Sequence, residues 1–436
     1  MKRENRSITA NFETEARYYR LFNDCKAFID FIVAFIMSIG LQLKHKPGCT
    51  GGFSLTRHSH YERVRLNGVP IWRIQCTKCK AVFTVLPHFV LRYRKMSPTT
   101  AADALMAVHG GLSLELTAVC FNISAMSVYR LVCSIGRTGT VTMLLRCGLS
   151  LPEFFTADEK HSHCLAEKVY LPTISGDHVL WHIGYTEDKS AAAFEASYGQ
   201  FRDAALTHDP SWKVRGVLTD SFESTVGTMK KLFPGARIGN CLLHAAKKVV
   251  QKLNNITTSV RKQLSRQFYR LFQDARERKG LKVFSFGQKL RRFGEKVSQT
   301  AGAENGERIS EWAGRKKTGW FSVLSCPDMP STTVRLDQVH NALNRKLFMM
   351  KGFHHPDGSQ AVFLNGLAAL YNFIPYQRRA KSAGRCGVEV EGGKLPSKDW
   401  FLSLQILTSG GFGCPVVQLT TKFGGIWIKL LKKAIL

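Results

Sequence analysis

The spacing of hydrophobic positions changes along the N-terminal third of the chain. Val69–Ile74 and Val82–Val85 are short apolar runs that favour strands. Met96-Ser97-Pro98 is a helix start, because Ser97 can cap the first turn and Pro98 fits the first helical position. Apolar residues at helical spacing then predict two short helices, Ser113–Phe121 and Ser124–Ile135. A pair of strands followed by helices is therefore expected before residue 140.

From residue 151 the pattern alternates between strands and helices. The predicted order is strand Glu153–Asp158, hairpin Glu167–Pro172 and His178–Thr186, helix Lys189–Leu206, strand Lys213–Thr219, helix Ser221–Phe233, strand Ala236–Cys241 and helix Leu242–Leu253. Three antiparallel strands followed by parallel ones is the order of an RNase H-like sheet. The sequence thus predicts an α/β fold with an RNase H-like mixed sheet.

These patterns divide the chain into five parts. They are an N-terminal helical segment (1–44), a zinc-ribbon-like segment (45–95), a helix-turn-helix (96–140), an RNase H-like domain (150–375) with a helical insertion (about 251–330), and a C-terminal basic region (376–436).

The charge of the chain points to a polyanionic partner. The 436 residues contain 62 Lys and Arg against 32 Asp and Glu, a formal charge of +30. Because the positive charge is spread over the whole chain, nucleic acid is favoured over a membrane surface. DNA is the expected partner.

Several classes of protein are disfavoured by composition. The longest apolar run, Ala27–Leu43, is interrupted by Asp30, so no membrane span is expected. No signal-peptide core follows the first residues, and 12 cysteines are too sparse for a disulfide scaffold. A cytoplasmic, nucleoid-associated protein is expected.

Cysteine spacing predicts one zinc site near the N-terminus. Cys76 and Cys79 are three residues apart, so both thiolates can face one ion, and Cys49 lies at the return distance of a first knuckle. Gly52 occupies the place of that knuckle's second thiol, so a histidine would be the fourth ligand. The candidates are His45, His58 and His60, of which we assign His58. The alternative is that the cysteines are core thiols beside a hairpin.

The helix pair after residue 112 has the pattern of a helix-turn-helix. Ser124 can cap the second helix, and Ser127, Tyr129 and Arg130 fall on the side predicted to be exposed. We expect these three residues to contact DNA. An ordinary helical hairpin is the alternative.

Two predicted strands end on a carboxylate, Asp158 and Asp220. In the predicted topology these strands are adjacent and parallel, so the two carboxylates would lie side by side. Such a pair is stabilised by bridging divalent cations, and two cations can activate a hydroxyl and stabilise the leaving oxygen of a phosphodiester. The alternative is that each Asp caps the following helix.

The second of these regions resembles bacterial insertion-sequence DDE transposases. The resemblance lies in Val217-Leu-Thr-Asp220-Ser and in the Cys241-Leu-Leu-His244 of Mutator-like members, and Ala157-Asp158-Glu159-Lys160 is similar to the first-aspartate motif. It covers about residues 150–375. It implies an RNase H-like core, two Mg²⁺ or Mn²⁺ ions, and integration of element ends into target DNA by an oligomer assembled on DNA.

The resemblance also implies a third acid, on a later helix. The segment Arg335–Lys346 is similar to the family's Glu-containing helix, with Asp337 at the Glu position. Asp337 would complete the catalytic set, and Arg345 would contact a phosphate. The fallback acids are Glu389 and Glu391.

Several other polar residues in this region are expected to have structural rather than catalytic roles, and a structural alternative exists for Asp337. Asp337 could instead pair with Arg335 or Lys346. Cys241 and His244 share a helix face and are expected to support the active-site helix rather than bind a second zinc. His161, His163 and Cys164 are expected to be polar loop residues.

Asp337 lies 117 positions after Asp220, a separation that implies an inserted segment. Residues 251–300 carry 13 Lys or Arg against three acids, so a basic, all-helical insertion is predicted, with Arg291 and Arg292 contacting phosphates. Trp312 and Trp320 are expected in its core.

Together these features predict a DNA transposase that binds and joins the terminal repeats of an insertion sequence. Two alternatives stay open. One is a catalytically inactive or domesticated DNA-binding relative, which the Asp at the Glu position allows. The other is a nuclease of the same fold.

Overall fold

The computed structural model describes residues 6–66, 68–165, 167–277, 282–349, 352–353 and 359–413. The amphipathic basic tail beyond residue 413 lies outside them, as do two of the counted basic residues of the insertion, Arg278 and Lys279.

The N-terminal part is a four-stranded sheet covered by two helices. Its elements are β1 (Ser7–Ala10), α1 (Glu15–Phe22), α2 (Cys25–Ser38), β2 (Leu55–Arg63), a 3-10 turn (Val64–Leu66), β3 (Val69–Cys76) and β4 (Val82–Pro87). The strand order is β1-β4-β3-β2, with β1 parallel to β4. Strands β3 and β4 confirm the predicted pair.

The boundary predicted at residue 44 is wrong. Strand β1 is part of the same sheet as β4, and Tyr18 and Phe28 from the two helices pack with Trp72 and Phe83 in one buried core. The indole of Trp72 also donates to the carbonyl of Phe22 at 3.1 Å. Residues 1–44 look helical in sequence, but their apolar faces are buried against the zinc-ribbon-like segment.

Four helices follow, and the first three lie at the predicted places. They are α3 (Pro98–Gly110), α4 (Leu114–Cys120), α5 (Ala125–Gly136) and α6 (Thr140–Arg146). The side chains of Ser97, Ser113 and Ser124 cap the first three by accepting backbone amides. Helices α4 and α5 are bent by 110° to one another, the angle of a helix-turn-helix. Within the described residues, no single helix is long and apolar enough to cross a membrane.

The central sheet has the predicted order. It is built from β5 (Phe154–Cys164), β6 (Glu167–Ser175), β7 (Leu180–Ile183), β8 (Gly216–Thr219) and β9 (Arg237–Asn240), arranged β7-β6-β5-β8-β9. Helices α7 (Ala191–His208), α8 (Glu223–Leu232) and α9 (Leu242–Lys252) connect and follow the later strands. Strands β5, β6 and β7 pair antiparallel, and β5, β8 and β9 pair parallel.

The insertion is helical and shares a hydrophobic core with α9. It comprises α10 (Thr258–Glu277), α11 (Val283–Ala301) and α12 (Ala303–Leu324). Trp312 and Trp320 are buried among its phenylalanines, with ring centroids 5.1 Å apart, which confirms their predicted place in the core. Gly319 lets α12 approach Asn240 at the end of β9, where a Cβ atom would overlap the Asn240 amide.

The last described helices pack against the central sheet and the N-terminal sheet. They are α13 (Val334–Met349), α14 (Ser359–Phe373), α15 (Gly387–Val390) and α16 (Trp400–Leu407). Helix α14 packs on α5, and the two backbones touch where Gly136 faces Val362 and Gly366 faces Val132.

The predicted separate region 376–436 is wrong for its described part. Leu402, Ile406 and Phe412 are buried in the N-terminal core, whereas Phe401 and Leu404 belong to the central one. Helix α16 therefore lies between the two cores, and the chain returns to the N-terminal sheet.

Candidate metal centres

Asp158 and Asp220 lie side by side. Strands β5 and β8 pair in parallel from Phe154 opposite Gly216 to Thr156 opposite Leu218. Continuing this register by two residues sets Asp158 beside Asp220. The adjacency predicted from strand order is confirmed.

The sequence predicted that Asp158 ends its strand, but the strand continues beyond it. Strand β5 continues to Cys164 in antiparallel pairing with β6, past the point where β8 stops. The prediction ended the strand too early because the residues directly after Asp158 are all polar, so they show no alternation of apolar and polar positions. His161, His163 and Cys164 consequently belong to this strand and not to a loop, with Cys164 buried.

Asp220 follows β8 in a tight turn. One of its carboxylate oxygens accepts the amide of Phe222 at 2.8 Å, and Ser221 takes a positive φ of 80°, which is uncommon for a residue with a side chain. Helix α8 has Phe222 as its N-cap and no side-chain cap. The alternative that Asp220 simply caps the helix is therefore not supported.

Glu159 completes a cluster that the sequence analysis did not anticipate. Ligand oxygens of Asp158, Glu159 and Asp220 all lie within 4.8 Å of one another. The hydroxyl of Thr225, on α8, donates to Glu159 at 2.7 Å and orients its carboxylate. Glu159 was visible beside Asp158 in the motif, but strand alternation would send their side chains to opposite faces.

Burial and nearby negative charge make Asp158 and Glu159 hard to ionise. Burial, followed by the charges of Asp220 and Glu159, raises the pKa of Asp158 well above its usual value. Burial and Asp220 also raise the pKa of Glu159 to about 7. Carboxylates in this state fit a divalent cation, because the ion offsets the repulsion and supplies the missing opposite charge.

Asp337 lies near this cluster but outside it. It is in the first turn of α13, which packs against β5, and its charge contributes to the raised pKa values of Asp158 and His244. Among the described residues, however, the group of acids within 4.8 Å of one another does not include Asp337. Its role as a third ligand stays a prediction.

The fallback acids have structural roles. Glu391 accepts the backbone amide of His178 at 2.5 Å, and Glu389 accepts the amide of Cys386 at 2.8 Å in a capping box. The Glu391 contact lies beside β7 at one edge of the sheet, whereas the acidic cluster lies on β5 and directly after β8. Neither residue belongs to the acidic cluster.

Cys241 and His244 support the helix that carries Asp337. The Cys241 sulfur, buried at the start of α9, accepts the amide of Thr333 at 3.3 Å, and the Thr333 hydroxyl lies 3.1 Å from Nδ1 of His244. Thr333 in turn accepts the amide of Asp337 with its carbonyl. The predicted supporting role agrees with these contacts.

The second candidate centre is in the N-terminal part, where His45, Cys49, Cys76 and Cys79 converge. The sulfurs of Cys49 and Cys76 are 3.9 Å apart, and Nδ1 of His45 lies 3.6 Å from Cys49 and 3.5 Å from Cys79. A tetrahedral zinc with ordinary bond lengths requires separations of about 3.8 Å between sulfurs and about 3.6 Å between sulfur and nitrogen. The four ligand atoms fit zinc.

Local chemistry also favours a bound cation here. Desolvation opposes ionisation of Cys79, but the amide of Lys46, the His45 ring and the amide of Ala81 lower the pKa of its thiol to about 6. A Cβ atom at Gly51 would lie 2.7 Å from the Cys76 sulfur, so only glycine lets the chain fold around the thiols here.

The assignment of His58 as the fourth ligand is wrong, since His45 takes that place. His58 is exposed on β2, where Nδ1 contacts the Ser59 hydroxyl at 2.9 Å. His60 packs edge-on against Phe22 and Trp72. The signal for His45 was its spacing of four residues from Cys49, which lets one turn present both side chains to one ion.

The predicted DNA-contacting residues of α5 divide into two sets. Tyr129 stacks on Phe363 of α14 at 5.1 Å and its hydroxyl contacts Ser359, so the prediction of an exposed Tyr129 is wrong. Ser127 is half-buried and Arg130 is exposed, and both face clefts beside the helix. The close crossing of α5 and α14 decides this division.

The other predicted contacts are on exposed surface. Arg291 and Arg292 are exposed on α11, and Arg291 pairs with Glu295 at 3.3 Å. Arg345 is exposed on α13 beside the buried Lys346. Contact of these three residues with phosphates stays a prediction.

Comparison with protein families finds none that matches this chain, and comparison with curated proteins finds no significant match.

Proposed function

We propose that the protein is a metal-dependent DNA transposase with an RNase H-like catalytic core. The observation that carries the proposal is the pairing of Asp158 and Asp220 across two parallel strands, with Glu159 beside them. The strand order β7-β6-β5-β8-β9 and the formal charge of +30 support it. The resemblance around Asp220 and His244 supplies the transposase family.

In this proposal the three carboxylates hold Mg²⁺ or Mn²⁺. Bound divalent ions would activate a water or a 3′-hydroxyl and stabilise the leaving oxygen of a phosphodiester. The chain's own part is to fix the ligands. Thr225 orients Glu159, the Phe222 amide orients Asp220, and the hydroxyl of Tyr198 donates to the Asp158 carbonyl at 3.0 Å.

Lys316 links the insertion to this site. Its ammonium group donates to the carbonyl of Ser221 at 3.4 Å, directly after Asp220. The insertion would therefore place positive charge beside the DNA strand that enters the acidic cluster. Zinc at His45, Cys49, Cys76 and Cys79 would have a structural role, because four protein ligands leave no open position for a substrate.

The test is a cleavage and joining assay with the purified full-length chain. The substrates are oligonucleotide duplexes taken from the DNA that flanks the gene, with Mg²⁺ or Mn²⁺. Asp158→Asn and Asp220→Asn should abolish cleavage and joining but retain DNA binding. Asp177→Asn is the matched control, since Asp177 is an exposed acid on the β6–β7 turn.

A catalytically inactive DNA-binding relative is the second candidate. The position of Asp337 outside the acidic cluster favours it. No cleavage by the wild-type chain with either metal, together with specific binding of the flanking repeats, would establish that candidate. Cleavage without joining would instead indicate a nuclease.

A further inference from the structure

Two neighbouring clefts lie beside α5. The larger has a volume of about 880 Å³ and lies between the linker after β4, the exposed side of α5 and the segment following α16. The smaller, about 550 Å³, surrounds the turn between α4 and α5. Tyr93 and Arg94 line both clefts, which together we call the linker groove.

The lining of the linker groove is charged with one sign. Among the described residues that line it, seven are basic and none is acidic. The basic residues are Lys44, Arg92, Arg94, Lys95, Arg130, Arg137 and Arg146. Such a concentration of positive charge in one groove favours the binding of an anion.

Some of these cations have structural partners within the protein. The Arg146 guanidinium donates to the carbonyls of Leu407, Ser409 and Phe412 and holds the segment after α16 in place. Arg92 lies over the Tyr93 ring at 4.5 Å.

Three guanidinium groups lack such partners. Among the described residues, no hydrogen bond or ion pair engages the side chains of Arg94, Arg130 or Arg137. Burial, and then the charges of Arg130 and Arg137, lower the pKa of Arg94, which places the three groups in one electrostatic cluster. An anion with several charges along its length would fit them.

The linker that lines the groove has a defined conformation at Tyr93. This residue has a positive φ of 56° and an 80% exposed side chain, so the linker turns its ring outward between the two clefts. The side chain of Arg63 donates hydrogen bonds to the carbonyls of Leu91 and Arg94 in this linker. These two hydrogen bonds hold the linker that lines the groove.

We propose that the linker groove binds the sugar–phosphate backbone of duplex DNA, with Arg94, Arg130 and Arg137 as the phosphate contacts. The choice of ligand rests on the proposed DNA function. A linear polyanion matches a row of cations on an open groove, and guanidinium groups bind phosphate with two parallel hydrogen bonds. Residues 414–436 of the chain are not a suitable ligand for this basic groove, because their four charged side chains are all lysines and would be repelled by it.

This proposal changes the role of Arg130. The sequence suggested that Arg130 reads bases, because it lies on the second helix of a helix-turn-helix. In the structure it shares a groove with two other arginines that flank α5. Arg130 would then position DNA without selecting its sequence.

The test is a set of salt titrations with the full-length chain. Binding of a labelled duplex is measured without Mg²⁺ or Mn²⁺, so that catalysis plays no part. The groove variant combines Arg94→Gln, Arg130→Gln and Arg137→Gln. The matched control combines Arg20→Gln, Lys26→Gln and Lys189→Gln, which removes the same charge from exposed sites outside the groove lining.

The groove variant should lose at least about tenfold in affinity at low salt. Its plot of log affinity against log salt should be shallower by about 2–3, because each phosphate contact releases about one counterion. The loss should be equal for flanking-repeat and random duplexes. The control should keep the wild-type slope. Equal slopes for the two triple variants would overturn the proposal.

A charge-retaining variant separates binding from folding. Arg94→Lys, Arg130→Lys and Arg137→Lys together should keep most of the salt dependence, since lysine still neutralises a phosphate. If this variant loses as much affinity as the glutamine variant, the arginines act structurally and the proposal fails.

Competitors identify the ligand class. Inorganic phosphate should displace the duplex no better than chloride at equal ionic strength, and a poly-glutamate peptide should compete poorly. Strong displacement by either would assign the groove to a small anion or to an acidic protein instead. Mn²⁺ binding by the groove variant should stay unchanged, so failure here is distinct from failure of the acidic site.

Discussion

Nδ1 of His340 lies 4.0 Å from a carboxylate oxygen of Asp158, so helix α13 meets the acidic cluster through His340. Burial, with the nearby charges of Lys160 and His161, lowers the pKa of His340 to about 3. The imidazole is therefore neutral, and the contact is not an ion pair. Asp337 lies one turn earlier on the same helix, outside the cluster.

The first prediction separates Glu159 from Asp337 as the third metal ligand. Glu159→Gln should weaken Mn²⁺ binding by at least the ~10–100-fold that loss of an outer-sphere partner costs. Asp337→Asn should change it little, because that carboxylate is not in the cluster. Paramagnetic resonance of bound Mn²⁺ provides the measurement, with Asp177→Asn as control. An equal loss for both variants would place Asp337 among the ligands.

The second prediction concerns zinc. The purified chain should hold about one zinc ion at the four-residue site, and His45→Ala should lose most of it. His58→Ala should retain it, because His58 is exposed on β2. Elemental analysis of both variants is the measurement. A zinc-replete His45→Ala protein would exclude His45 as a ligand.

The third prediction tests the crossing of α5 and α14. Gly136→Ala should destabilise the protein by about 1–3 kcal/mol, because the added Cβ atom would lie 1.9 Å from the carbonyl oxygen of Val362. Gly227→Ala is the matched control in α8, where the Cβ atom meets nothing within 4 Å. It should stabilise the protein by roughly 0.5–1 kcal/mol. Thermal unfolding midpoints report both effects, and a neutral Gly136→Ala would contradict the close crossing.

The fourth prediction is a pH dependence set by Lys346. This residue is buried on α13, 3.2 Å from Nδ1 of His109, and burial lowers its pKa from 10.5 to about 7. Between these values the unfolded chain carries a proton that the folded chain lacks, so stability contributed by this group rises with pH. The slope should approach ~1.4 kcal/mol per pH unit.

Lys346→Met should remove this contribution. The difference in unfolding midpoint between wild type and variant should then narrow steadily from pH 7 to pH 10. Lys189→Gln is the control, because Lys189 is exposed and is not among the charges that lower the pKa of Lys346. A difference that does not vary with pH would mean that Lys346 keeps its ordinary pKa in the folded state.

Local sequence patterns predicted several helix starts and the strand order of the central sheet. Ser97 and Ser124 cap their helices as expected, because a serine side chain satisfies the amides of the first turn whatever the tertiary context. Strand order also followed from sequence, since a hairpin followed by two βα units leaves few ways to build one sheet. Asp158 and Asp220 were therefore located as neighbours before the structure was known.

Other features depended on contacts between distant parts of the chain. Spacing left three histidines open as zinc ligands, and only the folded sheet brings His45 to the cysteines. Glu159 belongs to the acidic cluster, although side chains of adjacent strand residues are expected on opposite faces of the sheet. Tyr129 is covered by α14, which comes more than 200 residues later in the chain. Sequence determined which residues could do the chemistry, because capping, periodicity and spacing are local properties. Tertiary structure decided which of them meet, because packing between remote segments sets those distances.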